Sequence, residues 1–277
     1  VSTRADDAPE AAGLDVSRGR TDSPEELRRH LTTAPESYLE GALTHPALTQ
    51  RELLLLLRNR NAGPGLLSRV ARDRRWTSFY EVKKGLVVHP NCPLNASRTL
   101  VQHLFWNDLA DVAIDVRVHP VVRRRAEELL RARVDELTMG ERINLATRAT
   151  RGLIPCLLDC GEGRVLARLL SNPRVVEGDV IRVASGGRAP ADVLSQIAGH
   201  HRWGGRRDVR LAVLRNRRTP VQAALRLLSR LDRRDLQRLA RDAKVRRIVR
   251  IGAERQLEGS AASRAKGSAS DPSTRTV

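Results

Sequence analysis

Cys156 and Cys160 stand one helical turn apart, a spacing at which two thiolates on one helix face supply half of a tetrahedral zinc site. The other half is missing: the chain has no C-x-x-C and no H-x-x-x-H, so the two cysteines read as buried small apolar side chains. Three cysteines in all, with Cys92, also argue against a disulfide framework. His200 and His201 are adjacent, which is weakly metal-like, but a pair without a third ligand makes no site; His45, His89, His103, His119, His200 and His201 fall mostly at turns. Asp108 and Asp111, three residues apart, have the spacing of a carboxylate pair, yet read as a solvated helix face. The sequence lacks G-x-S-x-G, H-E-x-x-H and a phosphate-binding glycine loop. No catalytic residue, metal ligand or cofactor is therefore assigned.

The chain repeats itself. Residues 42–130 align without a gap to 169–257 at a constant offset of 127, so that Trp76 meets Trp203, Pro93 meets Pro220, and Val122-Arg123 meets Val249-Arg250. Such a duplication is the mark of a repeat architecture, in which each unit buries its apolar face against its neighbours. It also gives an internal control: what both copies keep serves the fold, and what one copy alone carries the fold does not need. By that test Trp76 and Trp203 are packing residues. Trp106, with Phe105, stands where the second copy has Asp232 and Arg233, and is the better candidate for a surface site.

Charge divides in the same way. The whole chain carries +18, but residues 165–257 hold 22 Lys and Arg against 8 Asp and Glu, while 38–130 hold 14 against 9. Arg75 and Arg202, Lys83 and Arg210, Arg117 and Lys244, and Arg123 and Arg250 are shared and read as architectural. The second copy alone carries Arg206, Arg207, Arg226, Arg230, Arg234, Arg238, Arg241, Arg246 and Arg247, where the first has Phe79, Tyr80, Thr99, His103, Asn107, Asp111, Ile114, His119 and Pro120. These nine are the candidate binding residues for phosphate or an acidic partner. Arg226 and Arg230 share one helix face and Arg234, Arg238 and Arg241 another. Aromatic residues make up only 3% of the chain, which argues against a base-stacking platform and favours duplex backbone contact if nucleic acid binds.

Short helices must position all of this. Ser23-Pro24-Glu25-Glu26 and Thr49-Gln50-Arg51-Glu52 are capping boxes; Thr219-Pro220 opens a helix with Val221, Ala224, Leu225 and Leu228 on one face, and Cys92-Pro93 opens its counterpart. The segment 131–164 does not follow the period and is expected to form one or two connecting helices, with Pro155 breaking or kinking the second. Residues 1–22 and 258–277 read as disordered tails. The apolar run Leu53 to Leu57 is too short to span a membrane, and the start shows no signal-peptide core, so a cytoplasmic location is expected.

The stretch Ile197–Pro220 resembles the leucine-rich-variant class of HEAT-like repeats, in Ile197-Ala198, Val209-Arg210, Ala212-Val213, Asn216 and Thr219-Pro220; Val70-Ala71-x-Asp73 and Leu239-Ala240-x-Asp242 are related fragments. His200 replaces the usual turn Asp, which puts that turn's capping in question. The resemblance implies an all-α, right-handed α-solenoid of short helix pairs over 23–257: copy one 38–130, connecting helices 131–164, copy two 165–257. Some members of that class carry a cysteine-ligated iron–sulfur cluster before the repeats; no cysteine precedes Cys92 here, so no cluster is implied. For function the resemblance implies an interaction surface. The expectation is a monomeric, non-catalytic scaffold with an acidic protein partner and no membrane; the alternative is a nucleic-acid binder using the arginine-rich copy. A third class, the HEAT-like glycosylases that excise alkylated bases, rests on the basic surface alone, since no motif here matches their catalytic aspartate.

Overall fold

The computed structural model describes residues 15–268, and these are helical throughout, with nineteen short α-helices, two 3-10 turns and no strand. They fall into two units, the first ending at Glu136 and the second beginning at Leu137. The first contains α1 (Val16–Thr21), α2 (Pro24–His30), α3 (Glu36–Ala42), α4 (Gln50–Leu56), α5 (Pro64–Arg72), α6 (Arg74–Thr77), α7 (Tyr80–Val88), α8 (Leu94–Leu100), α9 (Trp106–Ile114) and α10 (Pro120–Arg133). The second contains α11 (Met139–Arg148), α12 (Ile154–Asp159), α13 (Gly163–Leu169), α14 (Glu177–Ser185), α15 (Ala191–Gly199), α16 (Arg207–Arg215), α17 (Val221–Leu228), α18 (Arg233–Arg241) and α19 (Arg247–Ser268). Helices α3, α5, α7 and α9 recur as α13, α15, α16 and α18 with the 127-residue offset at both the start of each helix and, for all four, its end. The duplication is thus structural as well as sequential.

Alternate helices pack side by side within each unit. In the second unit α11, α13, α15, α17 and α19 form one layer, in which each touches the next. Helices α12, α14 and α16 form the other, joined by α18 through an ion pair described below. Contacts are mostly between neighbouring elements, as in a repeat array. The core lies between the layers and is built from the i, i+3, i+4 stripes of the sequence: Leu53, Leu56, Leu66, Leu67 and Val70 in the first unit, Val193, Leu194, Ile197, Val213 and Leu227 in the second, all fully or almost fully buried. Each such side chain contributes about 1.5–3 kcal/mol.

The capping boxes form as the sequence predicts. Glu26 accepts from the Ser23 N–H at 3.0 Å and Ser23 from the Glu26 N–H; Glu52 accepts from the Thr49 N–H at 3.1 Å. The helices end at a recurring four-residue turn that begins with His45, Asn59, Asp73, His89 or Asp115 in the first unit and Asn172, His200, Asn216 or Asp242 in the second. The first residue's side chain accepts the N–H two residues on, at 2.8–3.2 Å. Its carbonyl accepts the N–H three residues on. Asp, Asn and neutral His are interchangeable here because each offers one acceptor atom at the same reach. His200 therefore caps its turn as an Asp would, with Nδ1 accepting from the Arg202 N–H.

Turn side chains also reach back to the turn about one helix pair earlier. Asn59 donates to the carbonyls of Leu31 and Ala34; His89 contacts that of Asn59, and Asn91 donates to those of Arg60 and Ala62. In the second unit Asn172 donates to Ala146 and Ala149, and Asn216 to Ala184 and Gly186. Arg75 reaches the carbonyl of Leu48, and Arg202 that of Val175, 127 residues further on. These rungs satisfy helix-terminal carbonyls that stacking would otherwise bury unpaired.

Three expectations are corrected. Residues 16–21 are a helix rather than part of a tail: Asp15 caps α1, and Gly19 and Gly41 let α1 and α3 touch backbone to backbone, since a Cβ on Gly19 would meet the Tyr38 carbonyl. Residues 1–14 and 269–277, the rest of the two expected tails, lie outside the described residues, and α19 runs past 257 to Ser268. Within 131–164 stand two connecting helices, α11 and α12; Pro155 sits in the first turn of α12, where its missing N–H costs nothing, and starts the helix instead of breaking it.

Candidate functional site

Four buried carboxylates occupy the third position of their helices: Glu52 in α4, Asp108 in α9, Asp179 in α14 and Asp235 in α18. The offset relates Glu52 to Asp179 and Asp108 to Asp235. Each sits at the positive end of its helix and is met by side chains from the preceding helix of its layer or, for Asp179, from the turn that opens it. Glu52 takes Arg28 at 2.8 Å; Asp108 takes Lys84 at 2.9 Å and the Tyr80 hydroxyl; Asp179 takes Arg151 at 3.1 Å; Asp235 takes Arg207 Nε at 2.7 Å. Burial by itself would raise the Glu52 pKa, but hydrogen bonds from Thr49, Arg28 and the helix N–H groups hold it at about 2. Burial, then the bond to Asp108, pushes the Tyr80 hydroxyl up to about 12. The Asp179 carboxyl is lowered because Arg151 and the Val176 N–H outweigh its burial. Asp108 is thus not on a solvated face: it lies at the layer junction, whereas Asp111, one turn on, is exposed. No carboxylate pair faces solvent there.

The nine candidate arginines separate into two groups. Three are engaged. Arg207 pairs with Asp235 and Asp208, Arg206 lies 3.5 Å from Glu177, and Arg246 donates to the carbonyls of Arg217 and Thr219. Arg207 takes the place of Tyr80 and performs the same task, so a residue peculiar to one copy serves the fold after all. Arg226, Arg230, Arg234, Arg238, Arg241 and Arg247 are exposed, and their side chains make no ion pair among the described residues. These six are distributed over both layers. Arg234, Arg238 and Arg241 line α18 in one layer, Arg226 and Arg247 stand on α17 and α19 in the other, and Arg230 lies in the loop between α17 and α18.

The layer holding α17 and α19 also exposes apolar side chains: Leu225 at 47%, Ile248 at 43% and Val221 at 37%. Leu225 lies against α19, where a Cβ on Gly252 would meet its Cδ2. The first copy has Arg98 at the position of Leu225 and Thr99 at that of Arg226. Sequence reading misses this feature because the helical period puts Leu225 on the buried stripe; the mismatch with Arg98 is the signal that could have found it.

Trp76 and Trp203 are both buried, each beneath the guanidinium of the preceding arginine at 4.3 and 4.2 Å, and Trp203 donates to the carbonyl of Leu170 at 2.9 Å. They are packing residues: Trp76 sits in the four-residue α6 and Trp203 in a turn, each in the segment that precedes the next long helix, α7 or α16. Phe105 is 65% exposed and lies on the Tyr80 ring at 4.4 Å; Trp106 is half-buried. Cys156 and Cys160 are also half-buried, not interior, and Cys160 donates to the carbonyl of Leu157. His200 and His201 stack at 4.5 Å, and burial together with the neighbouring cations lowers the pKa of His200. Among the described residues no three His, Cys, Asp or Glu side chains converge as a metal site would require, and no helix is long and apolar enough to cross a membrane.

No family model, no curated protein and no solved structure matches the chain.

Proposed function

We propose that this chain is a non-catalytic, HEAT-like α-solenoid scaffold whose second copy binds an acidic protein segment. The observation that carries the reading is the layer of α17 and α19, which exposes Leu225, Val221 and Ile248 together with Arg226 and Arg247, two guanidinium groups that make no ion pair among the described residues. A phosphate backbone would use the arginines and leave the apolar side chains in water. An amphipathic segment with acidic flanks would use both. The first copy folds with Arg98 and Thr99 in place of Leu225 and Arg226, so the fold does not demand them.

The test is fluorescence anisotropy with a labelled helical peptide carrying Leu on one face and Glu on the other, with poly-glutamate and duplex DNA as comparisons. The peptide should bind more tightly than poly-glutamate, and Leu225→Arg with Arg226→Thr should weaken it about tenfold or more while leaving the melting curve in place. Equal binding of the variant and the wild type would sink the reading.

A second reading has its own support in α18, whose outward Arg234, Arg238 and Arg241 stand without apolar neighbours of that kind. That face suits a polyanion such as duplex nucleic acid. Restoring the first-copy residues with Arg234→Asn and Arg238→Asp should then lower DNA affinity and flatten its log–log salt dependence by roughly 0.9 for each phosphate no longer neutralised.

A further inference from the structure

One rung of the turn ladder is missing. In the first unit the turn at 31–34 is stitched to the turn at 59–62 by two carboxamides: Asn59 donates to the carbonyls of Leu31 at 3.0 Å and Ala34 at 2.9 Å, and Asn61 to those of Thr33 at 3.1 Å and Ala34 at 3.2 Å. The residues 127 positions later are Leu158, Cys160 and Gly161 on one turn, and Gly186 and Arg188 on the other. Glycine has removed one carboxamide and arginine has replaced the second. Among the described residues no side chain donates to the carbonyl of Leu158 or Gly161, the two that Asn59 serves in the first unit. The rungs on either side, from Asn172 and Asn216, are intact, so the gap is not a general loosening of the second unit.

A cavity of about 300 Å³ lies at this place, within the range of small-molecule pockets. Its wall is apolar, from Leu158, Leu166, Val183 and Ala189, and it is bordered by Asp159, Arg182 and Arg188. The first copy has Thr32, Leu55 and Asn61 at the positions of those three charges, so the charged rim is peculiar to the second copy. Gly161 has φ 71°, in the left-handed region, which places a residue without a side chain on the cavity's border.

We propose that the missing rung is a binding site for a small zwitterion with an apolar tail, of amino-acid to dipeptide size. Its ammonium group takes the role of the absent carboxamide donors, on the carbonyls of Leu158 and Gly161, with Asp159 neutralising the charge. Its carboxylate meets Arg182 and Arg188. Its apolar side chain lies on Leu158, Leu166, Val183 and Ala189. This site is in the 158–189 region and is independent of the α17/α19 surface.

Calorimetric titration of the full chain with L-leucyl-L-leucine tests the proposal, alongside the N-acetylated and C-amidated forms. The free dipeptide should bind saturably, and either blocking group should weaken it roughly tenfold or more, the scale of one charge-assisted hydrogen bond. Gly186→Asn with Arg188→Asn restores the first-copy rung; this variant should stay folded and lose binding. Asp159→Thr with Arg182→Leu leaves the cavity open, removes two of its three charges, and should weaken binding to a similar degree without moving the melting temperature. If the restored-rung variant does not fold, the charge-removed variant decides. No saturable binding by wild type at millimolar dipeptide overturns the site, as does wild-type affinity in a folded restored-rung variant. Equal binding of the blocked dipeptides overturns the zwitterion.

Discussion

Replacing Arg207 with Ala separates two kinds of arginine that sequence alone treats as one. Asp235 is 1% exposed on its side chain, and Arg207 meets both of its carboxylate oxygens from one turn of α16. Removing the guanidinium leaves a buried carboxylate with its own helix N-terminus as the main compensation. Breaking a fully buried pair costs about 3–5 kcal/mol; because Arg207 is itself about half exposed and water enters where it leaves, about 2–4 kcal/mol is expected. At roughly 4 °C per kcal/mol for a unit of this size, the melting midpoint falls by about 8–16 °C. Arg238→Ala, on the exposed face of the adjacent helix, should change stability by less than about 0.5 kcal/mol. Urea unfolding followed by circular dichroism measures both. Arg207→Tyr should recover much of the loss, since Tyr80 meets Asp108 in the same way in the first unit. Adding Asp235→Asn to Arg207→Ala should also relieve it, because no charge is then left buried. An Arg207→Ala protein as stable as wild type, or one that Asp235→Asn does not improve, would refute the role assigned to this pair.

Three further outcomes are expected. The Glu52 carboxyl, lowered from 4.5 to about 2, stabilises the fold fully above pH 4.5 and loses that contribution as pH falls towards 2; Glu52→Gln should make acid unfolding shallower across that window. His89 is held neutral by burial, with Nδ1 accepting from the Asn91 N–H and Nε2 facing the Asn59 carbonyl, so stability should fall as pH drops below 6.5; His89→Asn, the residue the second copy uses at Asn216, should abolish that dependence in chemical-denaturation curves at pH 5 to 7. Gly19→Ala places a methyl group against the Tyr38 carbonyl and should destabilise the first unit by about 1–3 kcal/mol, seen as early loss of hydrogen-exchange protection in α1 and α3.

What was legible in the sequence is what period and local chemistry record. Helix starts at Ser23 and Thr49 are written in side chains that satisfy helix-terminal N–H groups within one turn, those at Cys92-Pro93 and Thr219-Pro220 in a proline that precedes the first helical residue, and all four recur in the structure. The duplication revealed the pairing of α3 with α13 and of α9 with α18. The buried pairs were not legible, because each joins residues 24 or 28 apart whose charges look like ordinary solvated charges until the helices stack. Asp108 looks solvent-facing beside Asp111 for this reason, and Arg207 looks dispensable because its copy-one partner is a tyrosine, a different residue serving the same purpose on Asp108. The logic of copy comparison is therefore sharper for positions than for residue types. A residue found in one copy alone is dispensable only where its equivalent has no partner either. Arg207 fails that stricter test, because Tyr80 and Arg207 meet equivalent carboxylates, Asp108 and Asp235.

The same stricter comparison explains why the cavity beside Gly186 was invisible before the structure. Glycine for asparagine at one turn is an ordinary substitution in a chain with 19 glycines. Its meaning depends on what Asn59 touches, and Asn59 touches carbonyls 25 and 28 residues away. Removing that side chain unpairs two helix-terminal carbonyls and opens the space it filled, which in a fold held by repeated rungs destabilises without any compensating gain. Both neighbouring rungs persist, and three charges absent from the first copy border the gap. A missing hydrogen-bonded rung that no described side chain replaces, at a place where polar groups and an apolar wall converge, is the arrangement expected of a position kept open for a ligand.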